Sequence, residues 1–189
     1  KVEATKGFGA EVCLVEGCYD DAYQKALELK EKEGYTFVHP FDDENVIAGQ
    51  GTIALEVLTE LDDIDAIVVP VGGGGLISGI AYTAKKIRPS VKVYGVQVTG
   101  APSMYNSLKN GKIKSLKSVS TIADGIAVKK PGDNTYEYVK KYVDEIALVS
   151  DDEVSSAILA LMEKQKMIAE GAGAAAVAAV MFNKFDFNG

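Results

Sequence analysis

Short apolar runs alternate with longer amphipathic stretches along this chain, and the alternation predicts its elements. Residues 11–15, 36–38, 66–69, 92–98 and 146–149 read as strands, with 66–69 and 92–98 apolar enough to be buried. Helices fit 20–33, stopped by Gly34, and 44–61, interrupted at Gly49-Gln50-Gly51. Further helices fit 76–88, 134–142 and 150–166, the last opening with Ser150 and Glu153 at capping-box spacing. The stretch 171–182 is alanine-rich and small-faced, which suits a helix lying tight on a sheet, and 99–120 is the most loop-like region. Strands that alternate with helices imply an α/β fold, a parallel sheet flanked by helices and joined by right-handed crossovers. Ligands of such sheets sit beyond the carboxyl ends of the strands.

One strand end stands out. Val69-Pro70-Val71 runs directly into Gly72-Gly73-Gly74-Gly75-Leu76, four consecutive glycines between a strand and a helix. Without Cβ atoms the backbone approaches a ligand closely and takes dihedrals that other residues avoid. The helix behind offers unpaired N–H groups and a positive dipole end, which suits a phosphate. Neither familiar nucleotide loop fits. Gly74 and Gly79 have the Walker spacing, but Ile80 stands where the lysine belongs. The dinucleotide fingerprint fails at Ser78, and Tyr94 and Gln97 lie where the ribose-binding acid would fall. The plain alternative is a turn that packs a helix on a strand, for which four glycines are more than packing needs.

Composition narrows the classes. At 189 residues, 47% hydrophobic and 25% charged, the chain suits one domain, or one and part of another, with a real core. A net charge of −7 argues against a nucleic-acid partner. No apolar run reaches the length of a membrane span, and the charged start, Lys1-Val2-Glu3-Ala4-Thr5-Lys6, is not read as a signal peptide. Cys13 and Cys18 have no partners at metal-ligand spacing and read as reduced thiols of a cytosolic protein. The single histidine, His39, reads as a satisfied residue at a strand end, the alternative being a catalytic base. Asp42, Asp43 and Glu44 read as caps of the helix they precede, and Asp151-Asp152-Glu153 as a helix start. Asp124 fits a turn-forming Asp-Gly as well as a site residue.

Four segments together point to a family. Val46-Ile47-Ala48-Gly49-Gln50-Gly51-Thr52-Ile53-Ala54-Leu55-Glu56, the glycine run, Thr121-Ile122-Ala123-Asp124-Gly125 and Glu170-Gly171-Ala172-Gly173-Ala174 resemble fold-type II pyridoxal-phosphate enzymes of the threonine dehydratase and serine racemase group. The stretch Ala123-Asp124-Gly125-Ile126-Ala127-Val128-Lys129-Lys130-Pro131-Gly132 is most similar to the threonine dehydratases, also called threonine ammonia-lyases. The resemblance covers essentially the whole chain in the family's order. It implies a tryptophan synthase beta-like fold, with 1–38 the tail of the small domain and 39–189 an incomplete large cofactor domain. It also implies pyridoxal 5′-phosphate as cofactor. Its phosphate would lie on Gly72, Gly73, Gly74, Gly75 and the Leu76 amide, Gly125 beside the ring, Glu170 near the pyridine ring and hydroxyl, and Phe41 at the cleft border. Glu170 would at the same time cap the alanine-rich helix.

The family's Schiff-base lysine, its asparagine loop and the serine that pairs with the pyridine nitrogen match nothing in these residues, so the chain is expected to be an internal fragment, inactive alone. In the racemase branch a divalent cation sits on a glutamate, a carbonyl and an aspartate; Gln97, Ala101 and Ser103 occupy those positions here, so no metal site is expected. The resemblance implies a cytoplasmic homo-oligomer, dimer or tetramer, that deaminates threonine or serine in isoleucine biosynthesis or threonine catabolism. The alternatives are a serine racemase with side dehydratase activity and, from a different class, a non-catalytic cofactor-binding or assembly domain. A nucleotide-binding module is weaker, because both nucleotide fingerprints fail.

Overall fold

The computed structural model describes residues 1–17 and 19–187, and the chain divides into two compact units, Lys1–Val38 and His39–Gly189. Cys18 lies outside the described residues; Cys13 is an exposed free thiol.

The first unit holds helices α1 (Val2–Gly7) and α2 (Tyr19–Glu33). Gly34 ends α2 in the left-handed conformation, φ +73°, and its N–H donates to Lys30 O at 3.1 Å. The strands expected at 11–15 and 36–38 are absent; neither segment joins a ladder among the described residues. Apolar alternation supplies only the side-chain half of a strand. The backbone half needs a neighbour to pair with.

The second unit runs α3 (Glu44–Glu60), β1 (Ala66–Pro70), α4 (Gly75–Ile87), β2 (Lys92–Val98), α5 (Ser103–Lys109), α6 (Asp133–Tyr142), β3 (Glu145–Val149), α7 (Asp151–Ala160) and α8 (Gly171–Met181). Its three strands are parallel in the order β1-β2-β3, with Val69, Gly95 and Ile146 in one row across the sheet. Alternate residues of β2 serve opposite faces. Val93 joins a core with Val69, Val71, Ile77, Ile80 and Val139, whereas Val96 and Val98 join one with Val149, Val154 and the buried alanines of α8. The result is three layers, with α3, α4 and α6 on one face and α7 and α8 on the other. Gly95 brings α4 close, since a Cβ there would lie 3.0 Å from Ile77 Cδ1 and 2.9 Å from Ile146 Cγ1.

Three further expectations are corrected. Helix α3 runs unbroken through Gly49-Gln50-Gly51. A Cβ on Gly51 would lie 2.5 Å from Thr83 Oγ1, and one on Gly79 of α4 would lie 2.5 Å from Gly51 N. The two glycines let α3 and α4 cross nearly backbone to backbone, and that contact outweighs the roughly 1 kcal/mol that glycine costs in a helix. The stretch 99–120, read as the most loop-like region, contains α5, with Pro102 as its N-cap. The helix expected over 150–166 leaves α geometry after Ala160 and makes a π turn, Leu161–Gln165, ended by Lys166 at φ 58°. Arg88 seals the far end of α3 by donating to Leu58 O, Leu61 O and Asp62 O at 3.4, 3.3 and 2.9 Å. Among the described residues no helix is long and apolar enough to cross a membrane.

Candidate functional site

The ladder between β1 and β2 ends at Val71, whose N–H donates to Val96 O at 2.8 Å and whose carbonyl accepts Gln97 Nε2 at 3.0 Å. Beyond it the chain enters the glycine run. The first intrahelical bond of α4 is Ser78 N–H to Gly74 O, 3.0 Å. Among the described residues the six N–H groups from Gly72 to Ile77 find no protein acceptor, and the N-cap Gly74 offers no side chain. Amides without acceptors and the positive end of a helix dipole have the chemistry that suits an anion.

The four glycines have a different reason from the one the sequence suggested. Every Cβ they lack would fall on this chain's own atoms. A Cβ on Gly72 would lie 3.2 Å from Ile126 Cα, one on Gly73 2.5 Å from three carbons of the Phe41 ring, and one on Gly75 2.8 Å from Phe41 Cα. One on Gly74 would lie 2.8 Å from Met104 Cε and 2.9 Å from Thr135 Cβ, and the Gly74 φ of +102° is one that residues with a Cβ rarely take. The glycines therefore let the loop be clasped from behind, and the free amides are what remains for a ligand.

Two elements form the clasp. The first is the strap His39-Pro40-Phe41-Asp42-Asp43. His39 Nδ1 accepts the N–H groups of Phe41 and Asp42 at 3.2 and 2.7 Å, and the imidazole shapes the strap. Asp43 caps α3, accepting from Asn45 and Val46 at 2.8 and 3.2 Å. Asp42 does not cap the helix it precedes. Its carboxylate accepts the N–H groups of Asp133, Asn134 and Thr135, each at 3.0 Å, and so closes the start of α6. The second element is α6 itself, whose Thr135 Oγ1 donates to Gly73 O at 2.6 Å, while Gly132 N–H reaches the same carbonyl at 3.2 Å.

The nominated residues form one continuous surface. Phe41 covers Gly73 and Gly75; the missing Cβ of Gly72 points 3.6 Å from Gly125 O; that of Gly125 points 3.3 Å from Glu170 Oε1 and 3.0 Å from Ala172 Cβ. Leu76 is half-buried in the first turn of α4. Glu170 is the N-cap residue of α8, but its side chain makes no capping bond, contrary to expectation; the carboxylate sits beside Gly125 instead. Asp124 opens a 3-10 turn, Asp124–Ile126, with its carbonyl accepting Ala127 N–H at 3.2 Å. Gln97 is fully buried and committed at both ends, since its Oε1 accepts Tyr105 N–H at 2.8 Å. Asp42, Gly132 and Thr135 were not nominated as parts of the site. Pro131-Gly132-Asp133 signals a turn and a helix start, but no sequence signal reveals partners 59 to 93 positions away.

Fold and site together define an open-sheet α/β domain with a row of backbone amides that lack protein acceptors, among the described residues, beyond the carboxyl end of β1. Comparison with known proteins narrows this. The family described as pyridoxal-phosphate dependent enzyme matches residues 1–189, and the chain belongs to it. It is 53% identical, over all 189 residues, to the L-threonine ammonia-lyase of Thermotoga maritima, of which it spans 47%. Among solved structures it is similar to the processed form of threonine deaminase isoform 2 from Solanum lycopersicum, with 41% identity and a TM-score of 0.91 over 98% of this chain and 52% of that one. It is also similar to maize serine racemase, with 35% identity and a TM-score of 0.93 over 97% of this chain and 57% of that one. The chain spans about half the length of the curated relatives it matches. The family's cofactor is pyridoxal 5′-phosphate, and the residues present fit it: six oriented amides without acceptors suit a phosphate dianion.

Proposed function

We propose that the protein carrying this chain is a pyridoxal-phosphate-dependent threonine ammonia-lyase that converts L-threonine to 2-oxobutyrate and ammonia, and L-serine to pyruvate and ammonia. The observation that carries the reading is the open row of amides from Gly72 to Ile77, in a chain 53% identical throughout to a threonine ammonia-lyase. In this reading the amides of Gly72, Gly73, Gly74, Gly75 and Leu76 hold the cofactor's phosphate. Gly125 and the Glu170 carboxylate border the ring and its hydroxyl. Phe41, over Gly73 and Gly75, keeps water from the loop. When bound, the cofactor supplies an electron sink for proton removal next to the substrate's amine. No lysine of this chain is assigned a catalytic role. Residues 1–38 belong to the small domain and 39–189 to the large cofactor domain. The reading extends to a cytoplasmic homo-oligomer, dimer or tetramer, serving isoleucine biosynthesis or threonine catabolism.

The test is oxo-acid release from L-threonine and L-serine by the whole protein with cofactor. Release of 2-oxobutyrate and ammonia in equal amounts is expected; cofactor binding without release would leave the assembly-domain reading instead. The likeness to maize serine racemase favours one second reading. Chiral analysis of serine after incubation separates them, and D-serine accumulating faster than pyruvate would replace the lyase reading by the racemase.

A further inference from the structure

Thr135 is a fully buried hydroxyl that the expected chemistry leaves without a role. Its Oγ1 lies 2.6 Å from Gly73 O and 3.3 Å from Gly132 O. A threonine hydroxyl has one proton, and the shorter contact takes it. The main chain of the residue is held at two points. The Thr135 N–H is held by Asp42 Oδ1 at 3.0 Å, and its carbonyl accepts Ser78 Oγ at 3.4 Å, so the residue is tied to the strap on one side and to α4 on the other.

The consequence follows from peptide geometry. In a trans peptide the C=O of one residue and the N–H of the next point in opposite directions. Thr135 Oγ1 and Gly132 N–H fix the Gly73 carbonyl toward α6, so the Gly74 N–H points away from α6. That N–H is one of the donors that no protein acceptor satisfies among the described residues, and Gly74 at φ +102° is the residue through which the chain turns into α4. We propose that Thr135 is a positioning residue: through the Gly73 carbonyl it aims the Gly74 N–H at the cofactor's phosphate. The inference rests on the assignment of the glycine loop to that phosphate. The plainer role, a third-position hydroxyl serving only its own helix, would place the shorter contact on Gly132 O, and the distances have the opposite order.

The experiment compares dissociation constants of pyridoxal 5′-phosphate and of pyridoxal, which lacks the phosphate, for the whole protein stripped of cofactor. The wild type, Thr135→Val and Thr135→Ser are measured. Valine keeps the shape and loses the hydroxyl; serine keeps the hydroxyl. Thr135→Val is expected to bind pyridoxal phosphate about tenfold more weakly with pyridoxal unchanged, and Thr135→Ser to stay within about twofold of wild type. Pyridoxal phosphate affinity of the valine variant within about twofold of wild type, or an equal loss for both aldehydes, overturns the proposal. A wild type that does not prefer the phosphorylated aldehyde overturns the loop assignment itself. Should the valine variant not fold, amide hydrogen exchange of the wild type decides. Slowing at Gly74 on cofactor binding supports the proposal; slowing at Gly75 and Leu76 but not Gly74 overturns it and leaves the loop assignment standing.

Discussion

Helices α4 and α7 each begin at the carboxyl end of a strand, and the chain finishes their first turns in opposite ways. At α7, Ser150 Oγ accepts Glu153 N–H at 3.2 Å and the Glu153 carboxylate accepts Ser150 N–H at 2.8 Å, a closed capping box. At α4 the N-cap is Gly74, no side chain makes a capping bond, and among the described residues six successive amides find no protein acceptor. Helix α6 is closed too, by Asp42 from a distant strap. A chain able to cap helices locally and from 93 positions away leaves α4 uncapped. The omission falls at the carboxyl end of β1, the place where a parallel sheet presents its ligands.

The sharpest way to break the comparison is to put a side chain on the α4 cap. Gly74→Ala combines strain at φ +102° with a Cβ 2.8 Å from Met104 Cε. A stability loss of about 2 kcal/mol is expected. Pyridoxal phosphate affinity is expected to fall about a hundredfold, equivalent to two charge-assisted hydrogen bonds. Denaturant unfolding and cofactor titration by absorbance check both. Unchanged affinity would mean that the open amides are not the phosphate donors.

The next test separates two neighbouring aspartates that look interchangeable. Asp42 satisfies three amides of α6 and Asp43 two of α3. Asp42→Ala is expected to cost about 2 kcal/mol and Asp43→Ala about 1 kcal/mol. Because Asp42 also fixes the helix that carries Thr135, only Asp42→Ala is expected to weaken cofactor binding. Equal effects on stability and binding would reduce the strap to two ordinary caps.

The same pair marks where the sequence stops being legible. Local rules found the capping box at Ser150, the stop at Gly34, the strands at 66–69 and 92–98, and the helix after the glycines, because each is written in adjacent residues, but of 66–69, expected to be buried, only Val69 is. Proximity suggested that Asp42, Asp43 and Glu44 share one helix, but the strap turns between Asp42 and Asp43 and sends the first carboxylate to α6. Gly51 read as part of a break in its helix, and with Gly79 of α4 it is a crossing contact. The glycine run was legible as a loop between a strand and a helix, yet its bareness is used inward, against Phe41, Met104 and Thr135. Segments 11–15 and 36–38 have strand-like side chains without a ladder. In each case a partner remote in sequence decides what the local pattern becomes.

The smallest expected effect tests whether the closed cap and the open one respond to different chemistry. Burial alone would raise the Glu153 carboxyl, but hydrogen bonds from the Lys184 ammonium at 2.6 Å and from Ser150 N–H outweigh it and hold it below the ordinary 4.5. The folded chain therefore releases this proton more readily than the unfolded chain. Ionised Glu153 stabilises the fold above about pH 4.5, and that contribution is lost as pH falls through the lower folded value. Glu153→Gln is expected to cost under about 1 kcal/mol at neutral pH, with the difference from wild type vanishing in acid. The amides at α4 have no such proton to gain, so the same substitution leaves pyridoxal phosphate affinity unchanged. A difference that persists at low pH would show that Glu153 acts by shape and not by charge. A shift in cofactor affinity would show that the two helix starts, on opposite faces of the sheet, are coupled.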